Sequence, residues 1–283
     1  MDIAFLGPKG TFSHEFARSV WPNENLCHYK PLPSVIKAVA DGNCDRAAAP
    51  FFNDNTRAIG VVQNAMLSCQ GRIFVHELTA HDVKHHLYSY GKLSEISEIR
   101  SIAAVFPQVS NWMKKWKPDA DQVARDSTAE AVAEIDAARD VSLAAIGSKI
   151  ASEYYKSVPI VAHEIQNVPN QTIFASLCNS PPNPNHCDFL LFSARGITME
   201  HAFKVADLVA EAGFRIGFPL VLENEEITIL DIDTQRKRPS MRAADRGEFI
   251  SRMHASGTPF RLLGGHNGQS LKSLIEQSKK PPA

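Results

Sequence analysis

Short apolar runs alternate with helix-like segments along the first 178 residues, and this alternation limits the fold more than any other feature of the chain. The apolar runs predict strands at 3–6, 44–50, 72–78, 83–91, 101–108 and 141–148, and other segments predict helices at 12–20, 34–42, 127–139 and 148–156. Strands that alternate with short helices form a parallel or mixed sheet that helices cover on both faces. We therefore predict an α/β fold for this part of the chain.

A segment rich in proline and asparagine, NSPPNPNH at 179–186, separates this part from the rest of the chain. It holds three prolines and three asparagines, which predicts an extended linker. Residues 187–283 then show the order strand, helix, strand, strand, helix, strand, with a glycine after each helix. This is the order of a ferredoxin-like βαββαβ unit, so we predict two α/β domains, at 1–178 and 187–283.

The charge and the apolar pattern give no reason to expect a nucleic acid or a membrane as a partner. Thirty Lys and Arg residues stand against 31 Asp and Glu residues, which leaves a net charge of −1. No apolar stretch approaches the roughly 18–20 residues that span a bilayer. The first ten residues, MDIAFLGPKG, lack the basic and apolar regions of a secretory signal.

The cysteines favour a reduced, cytoplasmic protein without a disulfide framework. There are five of them, an odd number, and no two are spaced as CxxC. Cys178, His186 and Cys187 flank the Pro/Asn-rich segment, and we interpret them as side chains near a linker rather than as metal ligands. We therefore predict no metal site.

The stretch IAFLGPKGTFSHEFA, residues 3–17, brings the end of a strand to the start of a helix. A helix start carries unpaired N–H groups and the positive end of the helix dipole, which attract a carboxylate or a phosphate. Gly10 would let a ligand approach the backbone, and Thr11 and Ser13 would add hydroxyl donors. The same residues also suit a plain helix cap, so both interpretations stay open. The turns DSTAEA, at 126–131, and NVPNQTIF, at 167–174, allow the same two interpretations.

Together these motifs resemble the prephenate dehydratases, a family whose members open with Gly-Pro-x-Gly-Thr-Phe-Ser/Thr. The resemblance continues in the same order through ADGNCDRAAAPFFND, HELTAHDVKHHL, VFPQ, DSTAEAVA, LAAIGSKIASEYY and NQTIF. The matched stretches run from residue 3 to residue 176, so the resemblance depends on no single motif.

The resemblance implies a bilobal fold of the type II periplasmic-binding-protein kind, with the active site in the cleft between the lobes. The βαββαβ tail resembles an ACT domain, which in this family binds phenylalanine. ACT units commonly pair, so we expect a homodimer or a higher homo-oligomer. The family reaction uses no cofactor: prephenate, a small dicarboxylic acid, loses its ring carboxylate and its ring hydroxyl and becomes phenylpyruvate.

The resemblance also implies which residues form the site. Thr172 falls on the threonine that gives a proton to the leaving hydroxyl in this family. The candidate substrate-binding residues are Gly10, Thr11, Phe12, Asn53, Ser127, Thr128, Asn170, Gln171 and Phe174. His85 matches a family histidine, although a histidine at the end of a strand is as often structural.

The chain departs from the family pattern at several positions. Ile173 replaces the arginine of Thr-Arg-Phe, and an isoleucine cannot hold a carboxylate as an arginine can. Phe52 and Asp54 replace the Glu and Ser of the Glu-Asn-Ser triplet, and Phe106 replaces the histidine of Ser-His-Pro-Gln. Arg57 is either a candidate substrate-binding replacement for the lost arginine or a solvated surface residue. The two phenylalanine-binding signatures of ACT domains are absent, which argues against feedback by phenylalanine.

The sequence leaves three functions open. The first is dehydratase chemistry, in which prephenate loses water and carbon dioxide. The second is decarboxylation without aromatisation, because prephenate decarboxylases have also exchanged the arginine for an aliphatic residue and have also lost the triplet. The third is a module that binds a small acid without converting it.

Overall fold

The computed structural model describes residues 1–53, 57–58, 60–69, 71–222, 227–235 and 245–278. Its strands are β1 (Asp2–Leu6), β2 (Asn25–Tyr29), β3 (Arg46–Asn53), β4 (Arg57–Ala58), β5 (Phe74–Asp82), β6 (His86–Ser89), β7 (Glu98–Ser101), β8 (Asp121–Ala124), β9 (Leu143–Gly147), β10 (Ile160–Ala162), β11 (Gln171–Cys178), β12 (Phe189–Arg195), β13 (Arg215–Leu222), β14 (Ile227–Asp233) and β15 (Arg261–His266). Its α-helices are α1 (Phe12–Val20), α2 (Leu32–Ala40), α3 (Gly60–Ser68), α4 (Ser110–Trp116), α5 (Thr128–Ala138), α6 (Ala151–Tyr154), α7 (Met199–Glu211), α8 (Arg246–Ala255) and α9 (Leu271–Ser278), and short 3-10 helices span Ala103–Val109 and Pro184–His186.

The first lobe is built on a sheet in which β1 pairs in parallel with β2 and β3, and β11 runs antiparallel between β3 and β5. One face carries α1, whose Phe16 and Ala17 pack on Phe5 and Phe174. The opposite face carries α2, α3 and α9 over the largest apolar core of the molecule. The two faces therefore have different neighbours, and the site lies on the face that carries α1.

The second lobe is a five-stranded sheet in the order β10-β6-β9-β7-β8, packed against α5 and α4. Two chain segments connect it to the first lobe. Residues 83–85 lead from β5 to β6, and residues 163–170 lead from β10 back to β11. Hydrogen bonds join the two segments, because Ile165 N donates to the His85 carbonyl at 3.0 Å. The cleft between the lobes opens beside these connections.

The C-terminal strands have the order β13-β14-β12-β15, with α7 and α8 packed on one face, as a ferredoxin-like βαββαβ unit requires. Strand β15 pairs in parallel with β5, so this sheet continues that of the first lobe. Gly264 makes the close approach possible: its φ is +149°, and a Cβ there would lie 2.1 Å from the Val75 carbonyl oxygen. Only glycine fits this junction.

The structure changes several predicted boundaries. Strand β3 does not end at Pro50 but continues to Asn53, because the register with β11 shifts between Ile173 and Phe174, opposite the proline, and a bulge tolerates a residue without an N–H. The predicted strand at 101–108 is also wrong. Strand β7 ends at Ser101, and the VFPQ motif lies in the 3-10 helix that follows it. None of the helices in the described ranges is long and apolar enough to cross a membrane.

Candidate active site

Two adjoining cavities occupy the cleft between the lobes. The inner cavity has a volume of about 180 Å³, and its polar lining is formed by Asn53, His85, Gln108, Asn170 and Thr172. The outer cavity has a volume of about 590 Å³ and is lined by Thr11, Lys30, Asp126, Ser127 and Thr128, among others. Phe12, Ser13 and Ile102 line both cavities. A ligand of moderate size could therefore occupy both at once.

Strands β3 and β11 bring Thr172 and Asn53 together at the wall of the inner cavity. The two residues are cross-strand partners, and their side chains lie on the same face of the sheet. Asn53 Nδ2 donates to Thr172 Oγ1 at 2.8 Å and lies 3.1 Å from both Asn170 Oδ1 and the Gln171 carbonyl oxygen. Because Thr172 Oγ1 accepts this bond, the hydroxyl proton is free to point into the cavity.

Asn170 and Gln108 extend this arrangement toward the second lobe. Asn170 Nδ2 donates to Gln108 Oε1 at 2.8 Å, and Gln108 Nε2 donates to the Ala104 carbonyl at 2.8 Å. His85 Nε2 lies 3.0 Å from the same Gln108 Oε1. An amide oxygen can only accept, so His85 carries its proton on Nε2.

The surroundings of His85 favour its uncharged imidazole form. Burial lowers the pKa of His85, and the hydrogen bond to Gln108 opposes that effect only in part. Its ring stands edge-on to Phe12 with centroids 5.3 Å apart, and its Nδ1 is buried without a hydrogen-bond partner within the described ranges. The His85 ring is therefore held by Phe12 on one side and by the Gln108 oxygen on the other. An uncharged ring in this position orients its hydrogen-bond partners but does not attract an anion.

The outer cavity lies between the N-termini of α1 and α5, where unpaired backbone N–H groups collect. Helix caps, one of the two interpretations that the sequence left open at each turn, are present at Thr11 and Ser127. Thr11 Oγ1 accepts from His14 N and lies within 3.1 Å of the Leu6 and Pro8 carbonyl oxygens, while Ser127 Oγ accepts from Glu130 N. The hydroxyl of Thr11 is therefore already engaged by its own turn.

Ser13 and Thr128 differ from these two caps. Both side chains are buried and line the outer cavity, and neither has a hydrogen-bond partner in the described part of the chain. Lys30, at the same cavity, forms no ion pair with any described residue. These groups can meet a carboxylate without giving up an existing contact, whereas Asp126 adds one opposing negative charge to the rim.

The remaining residues that the sequence suggested for substrate binding do not share one location. Gly10, with φ +94°, packs toward Ala129 of the second lobe, and its carbonyl accepts from Ser148 Oγ at 2.7 Å, so it joins the lobes and lines neither cavity. The Gln171 side chain donates to Asp82 at 2.7 Å, away from the inner cavity. Phe174 lines the inner cavity and stacks on Phe16. The side chain of Arg57 and the whole of Asp54 lie outside the described residues.

Ile173 does not line either cavity. It is 1% exposed within the apolar core under α2, α3 and α9, and its cross-strand partner is Phe52 in the same core. The matched motifs place the family's Glu at Phe52 and the family's Arg at Ile173. The two main departures from the family pattern are thus one apolar pair on the face of the sheet that points away from the site.

Sequence reasoning missed Gln108 and Lys30 as lining residues of the site. Gln108 stands in the VFPQ motif, so the matched Pro-Gln pair was a signal that could have found it. Lys30 had no such signal, because only the fold brings the end of β2 to the start of α5. No group of three or more His, Cys, Asp or Glu side chains among the described residues is placed to hold a metal ion.

Comparison with known proteins identifies related sequences over the first two thirds of the chain. The family model for prephenate dehydratase matches residues 3–182. A prephenate dehydratase from Lactococcus lactis subsp. lactis is 28% identical over 168 residues, which are 59% of this chain and 60% of the relative. The match thus spans about three fifths of that curated relative.

Solved structures share the fold over nearly the whole chain, which confirms the predicted α/β architecture. A prephenate dehydratase from Arthrobacter aurescens, in complex with L-Phe, has a TM-score of 0.76 at 18% identity and covers 100% of this chain and 92% of its own. GqqA, described as a novel type of quorum quenching acylase, has a TM-score of 0.75 at 19% identity over 95% and 98%. Identities this low carry the fold alone. The family model covers well over half of the sequence, and the chain belongs to the prephenate dehydratase family.

Proposed function

We propose that the protein is a lyase that converts prephenate to phenylpyruvate, carbon dioxide and water. The observation that carries this proposal is the Thr172 hydroxyl, whose oxygen accepts a hydrogen bond from Asn53 and whose proton is left for a ligand in the inner cavity. An alcohol held with this polarity can donate its proton to a departing hydroxide. In this proposal, residues 1–178 form the catalytic domain and residues 187–283 an ACT-like domain.

The proposed step breaks two bonds of the substrate. The bond between the ring and its carboxylate breaks, carbon dioxide leaves, and the electron pair moves into the ring. The bond between the ring and its hydroxyl breaks at the opposite carbon, and the hydroxide takes the proton of Thr172 to become water. Solvent then restores the proton to Thr172, so one proton is consumed for each turnover, and aromatisation of the ring drives the reaction.

The outer cavity supplies groups for the two carboxylates of such a substrate. The backbone N–H groups at the start of α1 and α5 and the hydroxyls of Ser13 and Thr128 are hydrogen-bond donors, and Lys30 supplies a positive charge. We assign carboxylate binding to these groups and not to the Thr11 hydroxyl, which its own turn engages.

The position of Ile173 weakens the sequence-based argument for simple decarboxylation. If this residue faced the substrate, the missing arginine would change how a carboxylate is held. It lies instead in the core beside Phe52, so the exchange leaves the lining of both cavities as it is. The loss of the arginine therefore does not by itself remove a substrate contact.

Incubation with prephenate near neutral pH tests this proposal. Phenylpyruvate is followed by its absorbance in alkali, and the same mixture is analysed by mass spectrometry for a non-aromatic acid that has lost only carbon dioxide. Wild type is compared with Thr172→Val, which removes the hydroxyl but keeps the shape, and with Thr172→Ser, which keeps the hydroxyl. We expect wild type to form phenylpyruvate above the spontaneous rate, Thr172→Val to lose roughly 10²- to 10⁴-fold in kcat, and Thr172→Ser to lose much less.

Other outcomes would contradict the proposal in different ways. A product that has lost carbon dioxide but kept its hydroxyl would make the protein a decarboxylase. Prephenate that stabilises the fold without being converted would indicate a binding module. Full activity in Thr172→Val would leave the reaction in place and remove Thr172 from it.

A further inference from the structure

We propose that Gln108 is a positioning residue that sets the direction of the Thr172 hydroxyl through Asn170 and Asn53. The inference rests on the proposed function in one respect, because it assumes that the Thr172 hydroxyl donates its proton to the leaving hydroxide. Gln108 does not touch Thr172. It acts through two amide side chains that lie between them, and every bond in this series is 2.8–3.1 Å long.

The series begins at the amide of Gln108, a half-buried side chain. Gln108 Nε2 donates to the carbonyl of Ala104, one turn earlier in the same 3-10 helix. A flipped Gln108 amide would bring its oxygen against that carbonyl oxygen, which repels it. Gln108 must therefore present Oε1 to the cavity, where both His85 Nε2 and Asn170 Nδ2 converge on it.

The orientation of the Gln108 amide then fixes the orientation of the next two amide side chains. Asn170 has to present its amide nitrogen to Gln108, so its oxygen faces Asn53. Asn53 presents its own nitrogen to that oxygen and to the Gln171 carbonyl oxygen, and the same nitrogen reaches Thr172 Oγ1. Thr172 can only accept there, which leaves its proton for the inner cavity. A flip of Gln108 or Asn170 alone would place like atoms against each other, and a flip that continued to Asn53 would place an acceptor against Thr172 and turn its proton away from the substrate.

Burial makes this direction costly to reverse. Asn53, Asn170, Thr172 and His85 are all buried, and a mismatched pair of polar atoms away from water costs free energy that exposed pairs do not lose. The backbone adds a further constraint, because Asn167 N donates to the Gln108 carbonyl at 2.7 Å. This bond joins the 3-10 helix of the second lobe to the segment that leads into β11.

Gln108→Met tests the proposal, because methionine has a similar length but offers no comparable acceptor. We expect kcat for phenylpyruvate formation to fall roughly tenfold or more, while KM changes by less than about threefold. Gln166→Met is the matched control. Its Oε1 accepts from His85 N at 3.1 Å, close to the series but outside it, and we expect kcat within about twofold of wild type.

A double variant separates positioning from mere structure. If Gln108 acts only through Thr172, Gln108→Met has no further effect on a protein that already carries Thr172→Val, and the double variant turns over at the rate of Thr172→Val. Fully additive losses would overturn the proposal. Urea unfolding of each variant checks that the fold is intact.

Gln108→Glu keeps the proposal testable if the methionine variant fails to fold. A glutamate accepts from Asn170 in both its ionised and its protonated form, and the protonated form also donates to Ala104. We expect its kcat to stay close to that of wild type, whereas Gln108→Met is slow. A Gln108→Glu enzyme as slow as Gln108→Met would overturn the assignment.

Nitrogen-15 NMR of His85 separates this proposal from the proposed function. Wild type should show the neutral ring protonated at Nε2, and Gln108→Met should lose that preference. Wild type that forms no phenylpyruvate would contradict the proposed function but would leave this NMR test in place. A ring protonated at Nδ1 in wild type would overturn the series of directed bonds, whatever the activity.

Discussion

Neighbouring residue pairs of the β3–β11 ladder have opposite characters. Asn53 and Thr172 face the inner cavity and are joined by a hydrogen bond, whereas Phe52 and Ile173, one position along each strand, face the core and are apolar. The strand backbone is shared, so the difference comes from what each face packs against. α1 and the second lobe leave a cavity on one face, while α2, α3 and α9 pack over the other.

The departures from the family pattern at Phe52 and Ile173 therefore lie in the core and not at the cavity. The family's Glu and Arg fall on cross-strand partners that are both buried here, and a buried ion pair is readily replaced by apolar residues of similar volume without loss of stability. The exchange then concerns the core, and the cavity-facing pair carries the proposed chemistry.

Ile173→Arg should strongly destabilise the protein. It places a single charge in the core with no partner, because Phe52 offers none, and the expected loss is about 3–5 kcal/mol in the free energy of unfolding, measured by urea denaturation. Ile173→Met is the control and should cost less than about 1.5 kcal/mol. Adding Phe52→Glu should recover part of the loss, with a coupling of about 1–3 kcal/mol. An Ile173→Arg protein as stable as wild type would show that this side chain reaches water or a ligand.

Stability on the cavity side should depend on pH through His14. This residue lies in the first turn of α1, is 1% exposed, stacks on Phe5, and accepts from Gly10 N through Nδ1. Burial, and to a lesser extent the nearby charges of Lys9, Arg18 and His28, lower the pKa of His14 to about 4. The folded protein therefore holds the ring uncharged where the unfolded chain would protonate it.

The stability that this group contributes is present above its ordinary pKa of about 6.5 and is lost as pH falls toward 4. We expect this loss to be about 1–2 kcal/mol, seen as a fall in the urea midpoint. His14→Asn keeps an acceptor for Gly10 N but cannot titrate, so its midpoint should fall less over the same range. Identical pH profiles for the two proteins would assign the acid sensitivity to other groups.

The sequence was sufficient to predict features that depend on neighbouring residues along the chain. It was not sufficient to predict features that depend on which distant element packs against a residue. The strand and helix order and the caps at Thr11 and Ser127 follow from local periodicity and turn chemistry. The orientation of Ile173 could not be read, because a strand covered on both faces shows no alternation to tell the core face from the cavity face. Lys30 lies far from α5 in sequence, so only the tertiary fold could place it at the outer cavity.

Substitution of Thr11 distinguishes a helix-capping role from a substrate-binding role, and we expect its effect to be the smallest of these. Its hydroxyl lies 2.9 Å from the Leu6 carbonyl and 3.1 Å from the Pro8 carbonyl and accepts from His14 N, so Thr11→Ala should cost about 1 kcal/mol of stability, as the loss of a helix cap does. KM for prephenate should change by less than about threefold, because the hydroxyl is not available to a ligand, whereas Thr172→Val should act on kcat. Thr11→Ser keeps the cap and should match wild type in both measurements. A KM that rises tenfold in Thr11→Ala, with the urea midpoint unchanged, would instead place this hydroxyl on the substrate and extend the polar, ligand-bearing face of the first lobe to the start of α1.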